Sequence, residues 1–126
     1  MPRKKNRAAE VAALLPLKPQ DYHILFVLLD DERHGYGMVK EIERQTDGRV
    51  RLEAGNLYRS VRRMIREGLI AETDRRPAPE SDDERRRYYR ITDMGKAVVA
   101  AETDRMRDLV AAAEARLATP NGKVVR

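Results

Sequence analysis

The chain has 126 residues, 41% hydrophobic and 37% charged, which fits one domain with an added arm or helix and excludes a second independent core. Its net charge of +5 is the difference of 26 basic and 21 acidic residues, so the placement of charge matters more than its sum. The absence of cysteine excludes disulfides, thiolate metal ligands and thiol nucleophiles, and no apolar run is long enough to span a bilayer.

Residues 1–15 read as a basic N-terminal arm and short helix. Residues 1–7 are polar and basic with nothing to bury, and 8–15 form a short helix ended by Pro16 and Pro19. The basic start is followed by Ala8-Ala9-Glu10 rather than an apolar stretch, so no signal peptide is read and the expected location is cytoplasmic. Pro19 suits a first helical position, and a main hydrophobic helix from there carries Tyr22, Leu25, Leu28 and Leu29 as far as the acidic turn Asp30-Asp31-Glu32. His34-Gly35 turns the chain into a second helix over 36–46, with Tyr36, Met38, Val39 and Ile42 at helical spacing and Gly48 as its stop. Val50-Arg51-Leu52 is either a short edge strand or an extended link. A third helix spans 54–67 and ends at Gly68. Leu69 to Thr73 and Arg86 to Thr92 read as the two strands of a hairpin, with turn formers and acids between them. Thr92 and Asp93 then open a long alanine-rich helix reaching about residue 118, and 119–126 form a flexible tail.

This order predicts a mainly α fold with a small β-hairpin wing: a winged helix-turn-helix over 16–92, followed by a C-terminal dimerisation helix over 93–118. On the third helix Leu57, Val61, Met64 and Ile65 fall within about 80° of one another and form an apolar stripe. The opposite side holds Arg59, Arg62, Arg63 and Arg66, with Asn56 at its edge. A row of guanidinium groups free of acids suits phosphates and guanine edges, although a charged helix face can also be merely solvated. Asn56 either reads adenine or caps the helix start, and Tyr58, on the boundary of the stripe, is expected half-buried with its hydroxyl able to reach a phosphate.

In the hairpin, Tyr89 and Ile91 should face the core while Arg86, Tyr88 and Arg90 face out. Arg75, Arg76, Arg85, Arg86 and Arg87 then place positive charge at the base of the wing, and the acids from Glu80 to Glu84 should point its tip away from DNA. His23 and His34 are too isolated for a metal site, and His34 shapes the turn into the second helix. No pair of acids has a catalytic spacing and no glycine-rich phosphate loop follows a strand, so no enzyme is expected. On the last helix Val98, Val99, Met106, Leu109, Val110, Ala113 and Leu117 make a seam suited to dimerisation, the alternative being that it packs only on its own domain.

These residues resemble the PadR family of transcriptional regulators. The resemblance is carried by His34-Gly35-Tyr36-Gly37, Gly55 with Leu57-Tyr58-Arg59, Gly68-Leu69-Ile70, and Arg87-Tyr88-Tyr89-Arg90-Ile91-Thr92 followed by Gly95, spread over residues 22–117. It implies a homodimer joined through the C-terminal helix that represses at a roughly palindromic operator, with the third helix reading DNA and the hairpin as wing. Ala54 and Asn56 stand where relatives often carry proline and a threonine or serine. Some relatives bind flat aromatic compounds against an interfacial tryptophan, and this chain has none. Double-stranded DNA and a second copy are the expected partners, a small-molecule effector is left open, and no cofactor, metal or membrane is expected. The competing reading is a winged domain that binds another protein through the acidic loop or basic helix. Salt-dependent binding to a DNA fragment separates the two.

Overall fold

A computed structural model describes residues 3–73 and 87–119. Along the chain the elements are α1 (Arg3–Ala13), α2 (Pro19–Val27), β1 (Arg33–His34), α3 (Gly35–Gln45), α4 (Ala54–Arg66), β2 (Ile70–Glu72), β3 (Tyr88–Ile91) and α5 (Asp93–Leu117).

Each boundary has a local cause. Pro19 occupies the first turn of α2, where its missing N–H costs no helical bond. His34 caps α3: its Nδ1 accepts the Gly37 N–H at 3.0 Å, the role expected of it as the turn residue. At the far end of α3 the Gly48 N–H bonds to the Glu43 carbonyl at 2.8 Å, and Asp47 takes the left-handed position at φ 53°. The same motif closes α4, where Gly68 at φ 81° lets the Leu69 N–H reach the Met64 carbonyl at 2.9 Å. Thr92 caps α5 by accepting the Gly95 N–H at 3.0 Å, and its hydroxyl donates to the Gly68 carbonyl at 2.6 Å.

The core lies between α2, α3, α4, the sheet and the first turns of α5. It is built from Ile24, Leu25, Val27, Leu28, Met38, Ile42, Leu57, Val61, Met64, Leu69, Ile70, Tyr89, Ile91, Val98 and Val99, with Val11 of α1 buried beside them. The sheet has three antiparallel strands in the order β1-β3-β2. Ile70 pairs with Ile91 and Glu72 with Tyr89, while Arg33 pairs with Tyr89 and His34 with Tyr88 on the other edge of β3. Tyr89 and Ile91 are buried and Arg90 is exposed, the alternation expected of a strand with one face on a core. A side chain at Gly95 would collide with the Leu69 carbonyl and with Ile91 Cγ1 at 2.6 Å, so glycine lets α5 start directly on the hairpin.

Several details depart from the sequence reading. α1 begins at Arg3 and not near Ala8, and it packs on α5. Val50-Arg51-Leu52 is a link; the third strand is formed by Arg33 and His34, which are too few to show a periodicity. Tyr36 is 57% exposed, because it lies about 200° around the helix from the buried Met38. It stacks on His34 with Lys40 above its ring.

One buried charge ties the N-terminal part to α5. Glu102 is 2% exposed, accepts the Leu17 N–H at 3.2 Å, and is held by Arg105 at 2.7 and 2.8 Å. The Arg105 hydrogen bond, assisted by the Leu17 amide and by Arg105 charge, keeps the Glu102 carboxyl below its ordinary pKa against the upward pull of burial. The Tyr22 hydroxyl and Thr103 Oγ1, 2.8 Å apart, add a second link between α2 and α5.

Candidate nucleic-acid interface

α4 buries Leu57, Ser60, Val61 and Met64 and turns Gly55, Arg59, Arg62 and Arg66 to solvent. The spacing of three and four residues keeps these four positions on one side of the helix. No acid stands among them. Among the described residues neither Arg62 nor Arg66 has a hydrogen bond or ion pair, and Arg59 donates to Asn56 Oδ1. Asn56 therefore does not cap the helix: Glu53 holds the N-cap position, and the Asn56 amide steadies Arg59.

Arg63 differs from its neighbours. It makes a bidentate pair with Asp21 of α2 at 2.8 to 3.1 Å and lies 3.9 Å from Glu67. Asp21 is 4% exposed, so this arginine is the counter-charge of a buried carboxylate and serves α2–α4 docking. On the same side Gln20 Nε2 donates to Ser60 Oγ at 2.6 Å and approaches the Asn56 carbonyl at 3.5 Å. The first turn of α2 is thus stitched along one flank of α4. Between them runs a polar groove of about 360 Å³ lined by Lys18, Gln20, Asn56, Arg59, Ser60 and Arg63, whose cations and amides suit an anionic phosphate oxygen. Lys18, Gln20 and Asp21 carried no local signal in the sequence: Asp21 and Arg63 are 42 positions apart, and only the fold brings them together.

The other flank of α4 is held by Tyr58. Its ring and hydroxyl occupy the space a side chain at Gly35 would fill, so this residue, half-buried as expected, lies against the start of α3. This contact explains the glycine of His34-Gly35: the cap residue must be followed by one with no Cβ.

On the wing, Arg87 is exposed and pairs with Glu72 at 3.4 Å, while Arg90 points to solvent. Arg75, Arg76, Arg85 and Arg86, with the acidic tip, lie outside the described residues. The seam on α5 divides in two. Val99 is 6% exposed within the chain's own core, which corrects its place in the expected dimer surface: it sits in the first turns of the helix, against the domain. Met106 is half-buried, Ala113 is exposed, and Leu109, Val110 and Leu117 are 61, 54 and 79% exposed. Among the described residues no group of histidines and acids could hold a metal ion, and no helix is long and apolar enough to cross a membrane.

The profile of the transcriptional regulator PadR-like family matches residues 24–101, from α2 through α4 and the hairpin into α5. The chain belongs to the PadR-like family of transcriptional regulators. An uncharacterised protein of Lysinibacillus sphaericus is 31% identical over 80 residues, covering 64% of this PadR-like chain and 71% of that protein. Among solved structures, a PadR family regulator from Clostridium difficile R20291 superposes with a TM-score of 0.65 at 23% identity, over 79% of this chain and 99% of that one. A transcriptional regulator from Clostridium thermocellum gives 0.64 at 23% identity, over 79% and 90%. Bacillus subtilis PadR in complex with operator DNA gives 0.57 at 19% identity, over 67% of this chain and 47% of that one. At these identities the likeness establishes the PadR winged-helix fold.

Proposed function

We propose that this PadR-like chain is a homodimeric, non-enzymatic, sequence-specific regulator of the cytoplasm that represses transcription from a roughly palindromic operator. α4 enters the major groove, and the hairpin lies along the neighbouring backbone. The observation that carries the reading is the row Arg59, Arg62 and Arg66 on the exposed side of α4, with no acid among them, on a helix fixed by Gln20 and Asp21 on one flank and by Tyr58 on Gly35 on the other. Rigid placement matters because base reading requires bidentate geometry, and a helix free to roll would lose it.

Lys18 adds a phosphate contact beside the reading row, and Arg87 adds one at the wing. The exposed Leu109, Val110 and Leu117 support the dimer, since an apolar strip on a highly charged chain calls for a cover and a second copy brings its own. Two copies related by a two-fold axis would set half-sites about 10 base pairs apart, or a multiple of that. Selection of bound sequences from a random duplex pool tests this directly. Enrichment of an inverted repeat at that spacing is expected, with affinity falling steeply in salt. A pool that stays random, or binding indifferent to salt, would refute the reading.

A further inference from the structure

Gly55 lies in the first turn of the recognition helix, and nothing among the described residues accounts for it. The other described glycines have an internal reason: a close neighbour at Gly35, Gly37 and Gly95, and a positive φ at Gly48 and Gly68. At Gly55 the backbone does not take a positive φ, and an added Cβ would meet only Arg59 Nη1 at 3.9 Å, an ordinary contact with the end of a flexible side chain. Glycine in a helix is unfavourable relative to alanine, because it loses more backbone freedom on folding. A residue that weakens its own helix and fits nothing among the described residues points to a close approach from outside.

Its position says what approaches. Gly55 begins the exposed row that continues through Arg59, Arg62 and Arg66, each step of three or four residues turning by no more than about 60° from the last. It lies at the N-terminal end of α4, the end from which a recognition helix reaches base edges. Resting on the DNA-binding reading above, we infer that Gly55 is the point of closest approach between this protein and its operator, where the missing side chain lets a major-groove base edge come against the helix backbone.

The test sets stability against affinity. Gly55→Ala and Gly55→Leu are made in the full chain; melting is measured at fixed protein concentration, and binding is measured to the selected operator and to a random duplex of equal length. Gly55→Ala should raise Tm by about 1–4 °C through helix propensity, and Gly55→Leu should leave it no lower than wild type. Operator affinity should nevertheless fall about tenfold for Ala, the loss expected when one good base contact is displaced, and further for Leu. The random duplex should lose less. Unchanged operator affinity in both variants overturns the inference while DNA binding stands. A lowered Tm in both would show that the glycine serves the fold, and equal losses on operator and random duplex would move the contact to the sugar–phosphate backbone; either result overturns the assignment. A wild type without salt-dependent binding to any duplex removes the DNA reading itself.

Discussion

Arg59 and Arg63 stand one turn apart on the same helix, and their surroundings give them different work. Arg59 faces solvent beside Asn56, whereas Arg63 neutralises the buried Asp21. Arg63→Ala leaves that carboxylate without its partner and should lower unfolding free energy by about 2–4 kcal/mol in urea titration, whereas Arg59→Ala should cost less than about 0.5 kcal/mol. On the operator the order reverses in kind: Arg59→Ala and Arg62→Ala should each lose about 1–3 kcal/mol of binding while the protein stays folded. Equal stability losses for the two variants would mean that the Asp21 pair is not holding α4. Glu102 makes a pH prediction of definite sign. Its folded pKa lies below the ordinary 4.5, so its contribution to stability is present above that value and is lost as pH falls through the folded pKa. Urea midpoints measured from neutral pH into this acid range should drop more steeply for wild type than for Glu102→Gln. Parallel curves would show that the carboxylate is not preferentially ionised in the fold.

Among the elements, α5 is two helices in function. Its first turns, with Gly95, Val98 and Val99, belong to the winged domain, while beyond Glu102 the apolar residues stand outside it. Val99→Ala should therefore destabilise the chain by about 1–3 kcal/mol through the cavity it leaves, without changing subunit count. Leu109→Glu should do the opposite, giving monomers by light scattering with the winged domain still folded. Dimers persisting in Leu109→Glu would place the contact elsewhere. The hairpin contributes differently. Arg87 sits at its base, exposed and only loosely held by Glu72, so a phosphate contact there adds affinity without sequence information. Arg87→Ala should flatten the slope of log affinity against log salt by about 0.9 on operator and random DNA alike. A slope unchanged from wild type would remove Arg87 from the interface.

At the scale of the whole molecule, the parts are joined by a few buried polar contacts. Leu17 on Glu102, Tyr22 on Thr103, and Asp21 on Arg63 connect α2 and its linker to both α5 and α4. α5 and α4 are therefore fastened to the same short helix and its linker, which in the proposed dimer would hold two copies of α4 at a fixed spacing. Glu102→Gln acts on the linker at Leu17 and Arg63→Ala on Asp21 of α2, and their stability losses should add within about 0.5 kcal/mol unless α2 itself shifts.

What the sequence determined by itself was most of what depends on neighbours along the chain. Pro19 at a helix start, His34 as a turn residue, Thr92 as a cap, Gly68 as a stop and the alternation through Tyr89 and Ile91 are local conformational preferences, and they set the helices, the strands of the wing and the apolar stripe of α4. The row Arg59, Arg62 and Arg66 was legible for the same reason, since helical periodicity alone places it opposite Leu57. Contacts between distant residues were not legible. That Arg63 belongs to Asp21, that Tyr58 lies on Gly35, that Arg33 and His34 add a strand, and that Val99 is core while Leu109 is surface all depend on which faces meet when the elements pack. An arginine pointing at solvent and one pointing at a buried carboxylate have the same periodicity; only the position of α2 beside α4 distinguishes them, because that packing takes Asp21 out of water and leaves it needing a counter-charge.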